Sequence, residues 1–335
     1  MSRVLLVAGL LFAPAAVAID YPQAPRGAVV DDYFGTAVAD PYRALEETDS
    51  EATRAWVAAQ NRVTRDYLDG LPGRAALRER LTAVWNYEKF GVPVRVGEFL
   101  YYRYNDGLAN QSMLVRQRGL TGERETLLDP NSLSADGTTA LTVWKVSPDG
   151  RYLAYGTAEA GSDWNRFFVQ DLATGRRLAE VLDFVKFSGL SWTRDSAGFY
   201  YSRYPQRQGV FDELRDQALY YHRIGTPQSA DIPIYARPDQ PQWGFAGEVS
   251  GDGRYLYIST WKGADEENAL HVRRLKSARD PRVRGPLLPL IENFEASWTP
   301  LGNVGDTLYL LTSDAAPRRR IVAVDLNRPA QFRSI

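Results

Sequence analysis

Residues 147–155 read Ser-Pro-Asp-Gly-Arg-Tyr-Leu-Ala-Tyr, a tight turn that leads directly into a strand. An Asp-Gly pair tolerates the backbone angles of a hairpin turn, and the aromatic and apolar residues after it favour β structure. The pattern returns as Ser-Gly-Asp-Gly-Arg-Tyr-Leu-Tyr-Ile at residues 250–258, and weaker copies lie at 193–201 and 302–310. The turn aspartates are spaced by 46, 57 and 54 residues, which indicates a repeated structural unit.

A second strand pattern follows each turn at a regular distance, at residues 167–172, 219–224, 270–275 and 321–326. Four short strands in a repeat of about 50 residues are typical of β-propeller blades. We therefore predict a mainly β fold with about five propeller blades; the alternative is a generic β-sandwich with coincidental spacing. The predicted blades lie near residues 92–128, 139–183, 184–237, 243–291 and 294–335.

The composition excludes several classes of function. The 335 residues carry 40 Lys and Arg against 41 Asp and Glu, a formal net charge of −1. A protein that mainly binds nucleic acid needs a basic face, so no nucleic-acid partner is expected. The absence of cysteine excludes disulfides, thiolate metal sites and a cysteine nucleophile.

The chain contains two histidines, His222 and His271. A Ser-His-Asp enzyme or a histidine metal site within this sequence must use one of them. Both lie inside predicted blade strands, which favours ordinary packed or exposed strand side chains. We therefore expect no metal and no cofactor.

The first 18 residues have the pattern of a secretory signal peptide. Arg3 precedes an apolar run at residues 4–12, and a small-residue cleavage site ends at Ala18. The run is too short to span a bilayer; the alternative is a buried N-terminal strand or helix. The pattern predicts export, cleavage after Ala18, a periplasmic or extracellular location and no membrane association after cleavage.

Residues 19–90 are predicted to form an N-terminal arm with two helices, and residues 91–335 to form an incomplete β-propeller. A capping box at Thr48 and Glu51 predicts the start of the first helix, which Gly70 ends. The second, shorter helix carries four apolar residues on one face, namely Leu77, Leu81, Val84 and Trp85.

The chemistry-bearing motifs of common enzymes are missing from this sequence. It has no G-x-S-x-G nucleophile elbow and no metalloprotease, P-loop or dinucleotide motif. One local cluster is a candidate functional site, the loop formed by Gly161, Ser162, Asp163 and Trp164. Such propeller loops often line a mouth or an interface, and the alternative is that Trp164 packs between blades. The remaining aromatics considered are mostly predicted to be blade core, namely Trp144, Trp192, Trp243, Trp261 and Trp298.

Several short segments, in order, resemble the N-terminal part of the prolyl oligopeptidase family of serine peptidases, which cleaves short peptides after proline. The resemblance is densest in residues 147–155 and the Gly-Ser-Asp-Trp that follows at 161–164. The family usually has His-Gly where this chain has Phe34-Gly35, and Trp where it has Ala44; we interpret both as packing variation in the arm. Further matching segments lie at residues 21–22, 40–46, 56–61, 185–189, 199–205 and 220–229.

The resemblance implies a seven-bladed propeller inserted before a C-terminal α/β-hydrolase domain, with the arm packed on that domain. The catalytic serine, aspartate and histidine would all lie in the hydrolase domain. The sequence would then be a fragment that stops within about the fifth blade, without the hydrolase domain. We therefore expect no catalytic residue in it, and no activity from this chain alone.

The same resemblance implies what the propeller does and what it meets. It would limit access to short proline-containing peptides, which a missing or separate hydrolase domain would cleave. Gly161, Ser162, Asp163 and Trp164 are the candidate contacts with substrate or with that domain. The alternative function is a non-catalytic periplasmic β-propeller that binds a peptide or protein.

Overall fold

The computed structural model describes residues 19–206, 213–277, 280–283 and 286–335. The predicted signal peptide and its cleavage site at Ala18 lie outside the described residues. The chain divides into two compact units, residues 1–85 and 86–335. No described helix is both long enough and apolar enough to cross a membrane.

The first unit contains a hairpin, one turn of 3-10 helix and two α-helices. The hairpin strands pair in antiparallel register, Val30 with Ala39 and Tyr33 with Thr36. The elements are β1 Val30–Tyr33, β2 Thr36–Ala39, the 3-10 helix Arg43–Glu46, α1 Glu51–Asp69 and α2 Arg74–Trp85.

The start of α1 differs from the predicted capping box. Ser50 is the N-cap residue, and its Oγ accepts a hydrogen bond from the Thr53 backbone N–H at 3.2 Å. Thr48 instead lies in the preceding turn, where its N–H donates to the Glu46 carbonyl at 2.9 Å. The prediction that Gly70 ends α1 is confirmed, since Gly70 is the C-cap and its N–H donates to the Asp66 carbonyl.

The second unit consists of five antiparallel sheets that follow one another along the chain, which confirms the five predicted blades. In blade 1, β3 and β4 both pair with β5, and blade 4 has the extra strand β19 beside β18. Two 3-10 helices, Pro130–Ser132 and Gln228–Ala230, lie in connections. Blade 1 contains β3 Lys89–Phe90, β4 Val94–Val96, β5 Phe99–Asn105, β6 Met113–Arg118 and β7 Arg124–Leu128; blade 2 contains β8 Ala140–Val146, β9 Tyr152–Ala158, β10 Asn165–Asp171 and β11 Arg177–Val185; blade 3 contains β12 Ser191–Trp192, β13 Gly198–Arg203, β14 Ala218–Arg223 and β15 Ile232–Tyr235; blade 4 contains β16 Trp243–Val249, β17 Tyr255–Lys262, β18 Asn268–Ser277, β19 Asp280–Val283 and β20 Leu288–Ile291; blade 5 contains β21 Trp298–Val304, β22 Thr307–Thr312, β23 Arg320–Asp325 and β24 Phe332–Ser334.

Neighbouring blades share their apolar cores. In β17, Tyr255 and Tyr257 pack toward blade 5, whereas Leu256 and Ile258 pack toward blade 3. Successive strand residues point to opposite faces, and both faces of an inner blade are covered. This explains why β17 reads as a continuous aromatic and apolar run rather than as an alternating one.

The turn aspartates have structural roles. The Asp149 carboxylate accepts hydrogen bonds from Ser147 Oγ at 2.6 Å and from the Arg151 N–H at 3.0 Å. The turn also contacts the next blade, because Ser196 Oγ accepts a hydrogen bond from the Asp149 N–H at 3.1 Å. The repeated turns therefore stabilise both the hairpin and the stacking of neighbouring blades.

Candidate functional site

The loop predicted to carry function, Gly161 to Trp164, connects β9 to β10 in blade 2. Ala160 and Gly161 both have positive φ angles, 50° and 74°, a conformation that glycine adopts without strain. The loop is closed by a bond from the Ser162 N–H to the Glu159 carbonyl at 2.9 Å. Ser162 Oγ then accepts a bond from the Trp164 N–H at 3.1 Å, which fixes the tryptophan backbone.

Trp164 contacts Tyr204, which follows β13 of blade 3, and Lys186 in the connection from blade 2 to blade 3. Its ring meets the buried Tyr204 ring edge-on at 5.7 Å between centroids, and Lys186 Nζ lies 5.5 Å from its centroid. Lys186 also pairs with Asp163 at 3.7 Å, although the Asp163 side chain is 63% exposed. The tryptophan is thus half-buried between blades, while the carboxylate beside it faces solvent. Contact of this loop with a substrate or with another domain stays a prediction.

A cavity of about 680 Å³ lies next to the loop. Tyr204, whose ring contacts Trp164, is one of its lining residues. Five short segments from the connections and strand ends of blades 2, 3 and 4 form its walls. Its lining residues are Phe187, Tyr204, Glu213, Leu214, Gln242, Gly244, Trp261, Gly263 and Ala264.

A glycine on the neighbouring strand explains why Trp261 lines the cavity. Gly244 and Trp261 are cross-strand partners in β16 and β17, and a Cβ atom at Gly244 would collide with the indole ring. The ring therefore lies across the glycine, and Trp261 lines the cavity. The prediction that Trp261 is blade core is wrong, whereas Trp192 and Trp298 are buried, with 7% and 8% exposure.

Phe187 forms a second aromatic part of the lining. It follows the end of β11 with a φ angle of 53° and is 53% exposed. Positive φ is uncommon for a bulky residue, and neighbouring hydrogen bonds hold this segment. One of them runs from the Tyr204 N–H to the Phe184 carbonyl at 3.0 Å. An exposed aromatic ring held on a fixed backbone is well suited to contact an apolar ligand.

The polar groups of the cavity indicate binding rather than catalysis. Among the described lining residues Glu213 is the only carboxylate, and it is paired with Arg215 at 2.8 Å and bonded to Gln242. Burial raises the pKa of Tyr204, so its hydroxyl stays protonated at neutral pH. Aromatic and apolar walls with a few polar groups fit an uncharged apolar side chain.

The two histidines are buried in strands and lie outside the cavity lining. His222 in β14 has a fully buried side chain whose Nδ1 is 2.7 Å from the Asp231 carboxylate. His271 in β18 is 5% exposed, and burial lowers its pKa. Within the described ranges, no three His, Asp or Glu side chains are grouped so that they could hold a metal ion.

None of the cavity residues was predicted as a site residue from the sequence, because they are spread from residue 187 to residue 264 with no common spacing. One weak signal was present. Trp261 stands at the end of a strand, directly before Lys262 and Gly263, where a blade strand gives way to a loop. An aromatic residue at such a position can face a ligand as readily as a core.

Comparison with known proteins assigns a family to this arrangement. A family model described as prolyl oligopeptidase, N-terminal beta-propeller domain, matches residues 22–335. The prolyl endopeptidase of Elizabethkingia meningoseptica is 38% identical over 334 residues, covering 97% of this chain and 46% of that protein. Prolyl oligopeptidase A of Amanita bisporigera is 37% identical, covering 92% of this chain and 45% of that protein.

Solved structures give the same result at the level of the fold. Prolyl oligopeptidase B from Galerina marginata, bound to a 35mer hydrolysis and macrocyclization substrate, is 30% identical with a TM-score of 0.79. The match covers 94% of this chain and 48% of that one. The chain therefore spans about half the length of the relatives that it matches.

Proposed function

The chain belongs to the prolyl oligopeptidase family, matching its N-terminal β-propeller domain, and on this premise we propose that it is the propeller portion of a serine peptidase that cleaves short peptides after proline. The proposal assigns the nucleophile, base and oxyanion donors to an α/β-hydrolase domain outside these 335 residues. Two features support this division: relatives about twice as long are prolyl endopeptidases, and the present sequence has no nucleophile elbow.

The cavity carries the proposal on the structural side. We assign to it an apolar side chain of the peptide substrate, held between Phe187 and Trp261 with Gly244 as the floor. A volume of about 680 Å³ is in the range of small-molecule sites. The propeller would then act as a gate that admits short peptides and orients them for the hydrolase domain.

The arm supplies a surface for that domain. In α2 the four predicted apolar residues, Leu77, Leu81, Val84 and Trp85, are each between 50% and 62% exposed. A contiguous apolar helix face of this kind marks an interaction surface. We assign it to docking of the hydrolase domain, in line with the family arrangement that the resemblance implies.

Export belongs to the same proposal. The basic, apolar and small-residue pattern of residues 1–18 supports secretion to the periplasm or the extracellular space. The mature chain would begin at Ile19, which N-terminal sequencing of the exported protein would test; retention of Met1 in a membrane-free cell fraction would contradict the proposal.

The enzyme proposal is tested by restoring the second half of a relative. The chain is fused to the C-terminal half of the Elizabethkingia meningoseptica prolyl endopeptidase, and cleavage of a blocked Gly-Pro nitroanilide is measured. We expect the fusion to cleave and the chain alone to be inactive. Cleavage by the chain alone would show that the nucleophile lies within these residues.

A pair of phenylalanines supplies the matched control for the cavity. Phe184 and Phe187 both have positive φ angles and are 38% and 53% exposed, but only Phe187 is among the described lining residues of the cavity. In the fusion, Phe187→Ala should raise KM by about tenfold, while Phe184→Ala should leave it within about twofold. If the fusion is inactive yet the chain binds proline peptides, the non-catalytic binding propeller becomes the better assignment.

A further inference from the structure

One buried side chain connects two walls of the cavity without lining it. Gln217 precedes β14 and is 2% exposed. Its Nε2 donates to the Lys186 carbonyl at 2.9 Å, and its Oε1 accepts from the Phe245 N–H at 2.6 Å. Lys186 directly precedes Phe187, and Phe245 directly follows Gly244. The amide therefore joins the backbones that carry two separate parts of the lining.

The amide has no alternative arrangement that keeps both bonds. One end must donate to a carbonyl and the other must accept from an N–H, so the orientation of the side-chain amide is fixed. Phe245 lies in β16, an edge strand of blade 4. Its carbonyl is held from blade 3 as well, by Ser202 Oγ at 2.6 Å. Side chains of blade 3 thus satisfy both outward backbone groups of this strand position.

The backbone around Gln217 is held in turn. Asp216 has a φ angle of 64°, and its N–H donates to the Pro241 carbonyl at 2.6 Å. This bond fixes the segment before β14 to the segment before β16. Glu213 and Gln242, which both line the cavity, are hydrogen-bonded across the same junction. The Gln217 backbone is consequently tied to the segment before β16, and its side chain reaches from there to the carbonyl of Lys186.

We propose that Gln217 is a positioning residue that sets the separation between Phe187 and the Gly244–Trp261 wall, and thereby selects which apolar side chains of a peptide enter the cavity. The selectivity part rests on the proposed function of the cavity. The positioning part concerns the protein alone and can be measured without ligand.

Gln217→Met and Gln217→Glu test the positioning role and the selectivity role separately, and Gln170→Met is the matched control. Gln217→Met keeps the length of the side chain and removes both hydrogen bonds. Gln217→Glu restores both when the carboxyl group is protonated, since it then donates to the Lys186 carbonyl and accepts from the Phe245 N–H; when ionised it repels that carbonyl. Gln170→Met makes the same change in blade 2, where the buried Gln170 amide donates to the Gly175 carbonyl at 3.0 Å, outside the cavity.

The ligand-free measurement compares crystal structures of the full chain and its variants. We expect Gln217→Met to change the separation of the Phe187 and Trp261 rings by about 1 Å or more, a displacement large enough to spoil a built site. The Gln170→Met variant should leave it unchanged. An unchanged separation in Gln217→Met overturns the inference whatever the peptide measurements show.

The ligand measurement uses two uncharged probes, acetyl-Phe-Gly-Pro-amide and acetyl-Gly-Gly-Pro-amide, titrated into the full chain by NMR. We expect the wild-type chain and Gln170→Met to prefer the phenylalanine peptide by about tenfold, and Gln217→Met to lose most of this preference. Gln217→Glu should lack the preference at pH 8 and regain it as the pH falls and its buried carboxyl group takes up a proton.

The wild-type chain measured at each pH controls for effects of pH at the other charged groups near the cavity, namely Asp163, Lys186, Glu213 and Asp216. The outcomes distinguish the two proposals. If the wild-type chain shows no preference, the proposed function of the cavity fails while the ring separation still decides the positioning role. If the wild-type chain discriminates and Gln217→Met discriminates equally, the selectivity role of Gln217 is wrong. Equal losses in Gln217→Met and Gln170→Met, or a Gln217→Glu variant that does not recover at low pH, would show a general structural effect instead.

Discussion

The two histidines occupy matching strands of neighbouring blades, yet their surroundings differ. His222 lies in β14 of blade 3 and His271 in β18 of blade 4, and each contacts an aromatic ring, Phe199 and Tyr235 respectively. His222 is hydrogen-bonded to Asp231 at 2.7 Å, whereas Nδ1 of His271 has no hydrogen-bond partner among the described residues. The same strand of two successive blades therefore holds its histidine in different surroundings.

The position of each histidine against the outer strand accounts for the difference. His271 pairs with Pro289 inside β20, whereas His222 lies one residue past the Tyr221–Ile232 pair, beside Asp231. Asp231 directly precedes β15, the outer strand of blade 3, and the corresponding residue before β20 in blade 4 is Leu287. Leu287 packs with the apolar core between blades 3 and 4. A buried carboxylate requires hydrogen-bond donors. Blade 3 provides donors to Asp231, whereas the apolar Leu287 of blade 4 requires none.

The donors to Asp231 tie blade 3 to blade 2. Tyr201 OH donates to the Asp231 carboxylate at 2.5 Å, and burial together with this carboxylate raises the pKa of Tyr201 far above its usual value. Gln228 Nε2 donates to Tyr201 OH and to the Asp183 carbonyl in β11, each at 3.0 Å. His222 thus belongs to a connected polar network, while His271 packs against the Tyr235 ring.

Replacing the acid by the residue found in blade 4 should have the largest effect. Asp231→Leu leaves His222 Nδ1 and Tyr201 OH buried without their acceptor, so we expect the free energy of unfolding to fall by about 3 kcal/mol or more. Urea unfolding measures this. Asp239→Leu is the control, because Asp239 is 58% exposed and pairs only with Arg237 in the described structure; its loss of stability should be much smaller. A loss of similar size in Asp231→Leu and Asp239→Leu would contradict a special role for the buried carboxylate.

Removing one hydroxyl from the network should have an intermediate effect. Tyr201→Phe keeps the aromatic packing but takes a donor from Asp231 and an acceptor from Gln228, so we expect a loss of about 1–2 kcal/mol. Combined with Asp231→Leu, the two losses should not add, because both variants remove the same hydrogen bond. Additive losses in the double-mutant cycle would show that the two groups act independently.

Local patterns made the fold predictable, and their absence hid this network. The Asp-Gly turns and the aromatic strands after them depend on neighbouring residues, so their spacing placed blades 2 to 5, and the strand-like opening unit at residues 92–128 completed the count of five. Thr48 and Ser50 both precede acidic or hydroxyl residues at a distance that suits an N-cap, so neighbouring residues alone do not show which of them caps α1. The hydrogen bond that holds Thr48 in the turn at Glu46 leaves Ser50 as the N-cap residue.

Nonlocal contacts were not accessible in the same way. Tyr201, His222 and Asp231 come together across three strand regions, and Asp183 belongs to another blade. The cavity is assembled from five separate segments, and the site predicted from the sequence was instead the adjoining Trp164 loop. A single sequence carries the strand pattern but not which strand ends converge in space.

The free energy of unfolding at acidic pH should depend on His271. Burial lowers the pKa of His271, and Arg237 and Arg273 lower it further against the opposing effect of Glu292. The unfolded chain takes up a proton near pH 6.5 while the folded chain resists it, so this residue weakens the fold as the pH falls below about 6.5, by at most about 1.4 kcal/mol per pH unit. His271→Gln should remove this component, and its stability relative to wild type should rise between pH 7 and pH 5. Parallel stability curves for the two proteins would contradict the assignment.

The smallest effect is expected from making His271 apolar at pH 8. His271→Leu removes a ring nitrogen that has no partner in the described structure and adds apolar surface beside the core that already contains Leu287. It also loses the ring contact with Tyr235, 5.5 Å between centroids, which is worth about 1 kcal/mol. Because these terms oppose each other, the free energy of unfolding should change by less than about 1 kcal/mol. His222→Leu is the matched control, since it leaves the Asp231 carboxylate buried without its histidine and should cost about 3 kcal/mol or more. Equal losses at the two positions would mean that burial in the strand, rather than the acid before the outer strand, decides what each histidine contributes.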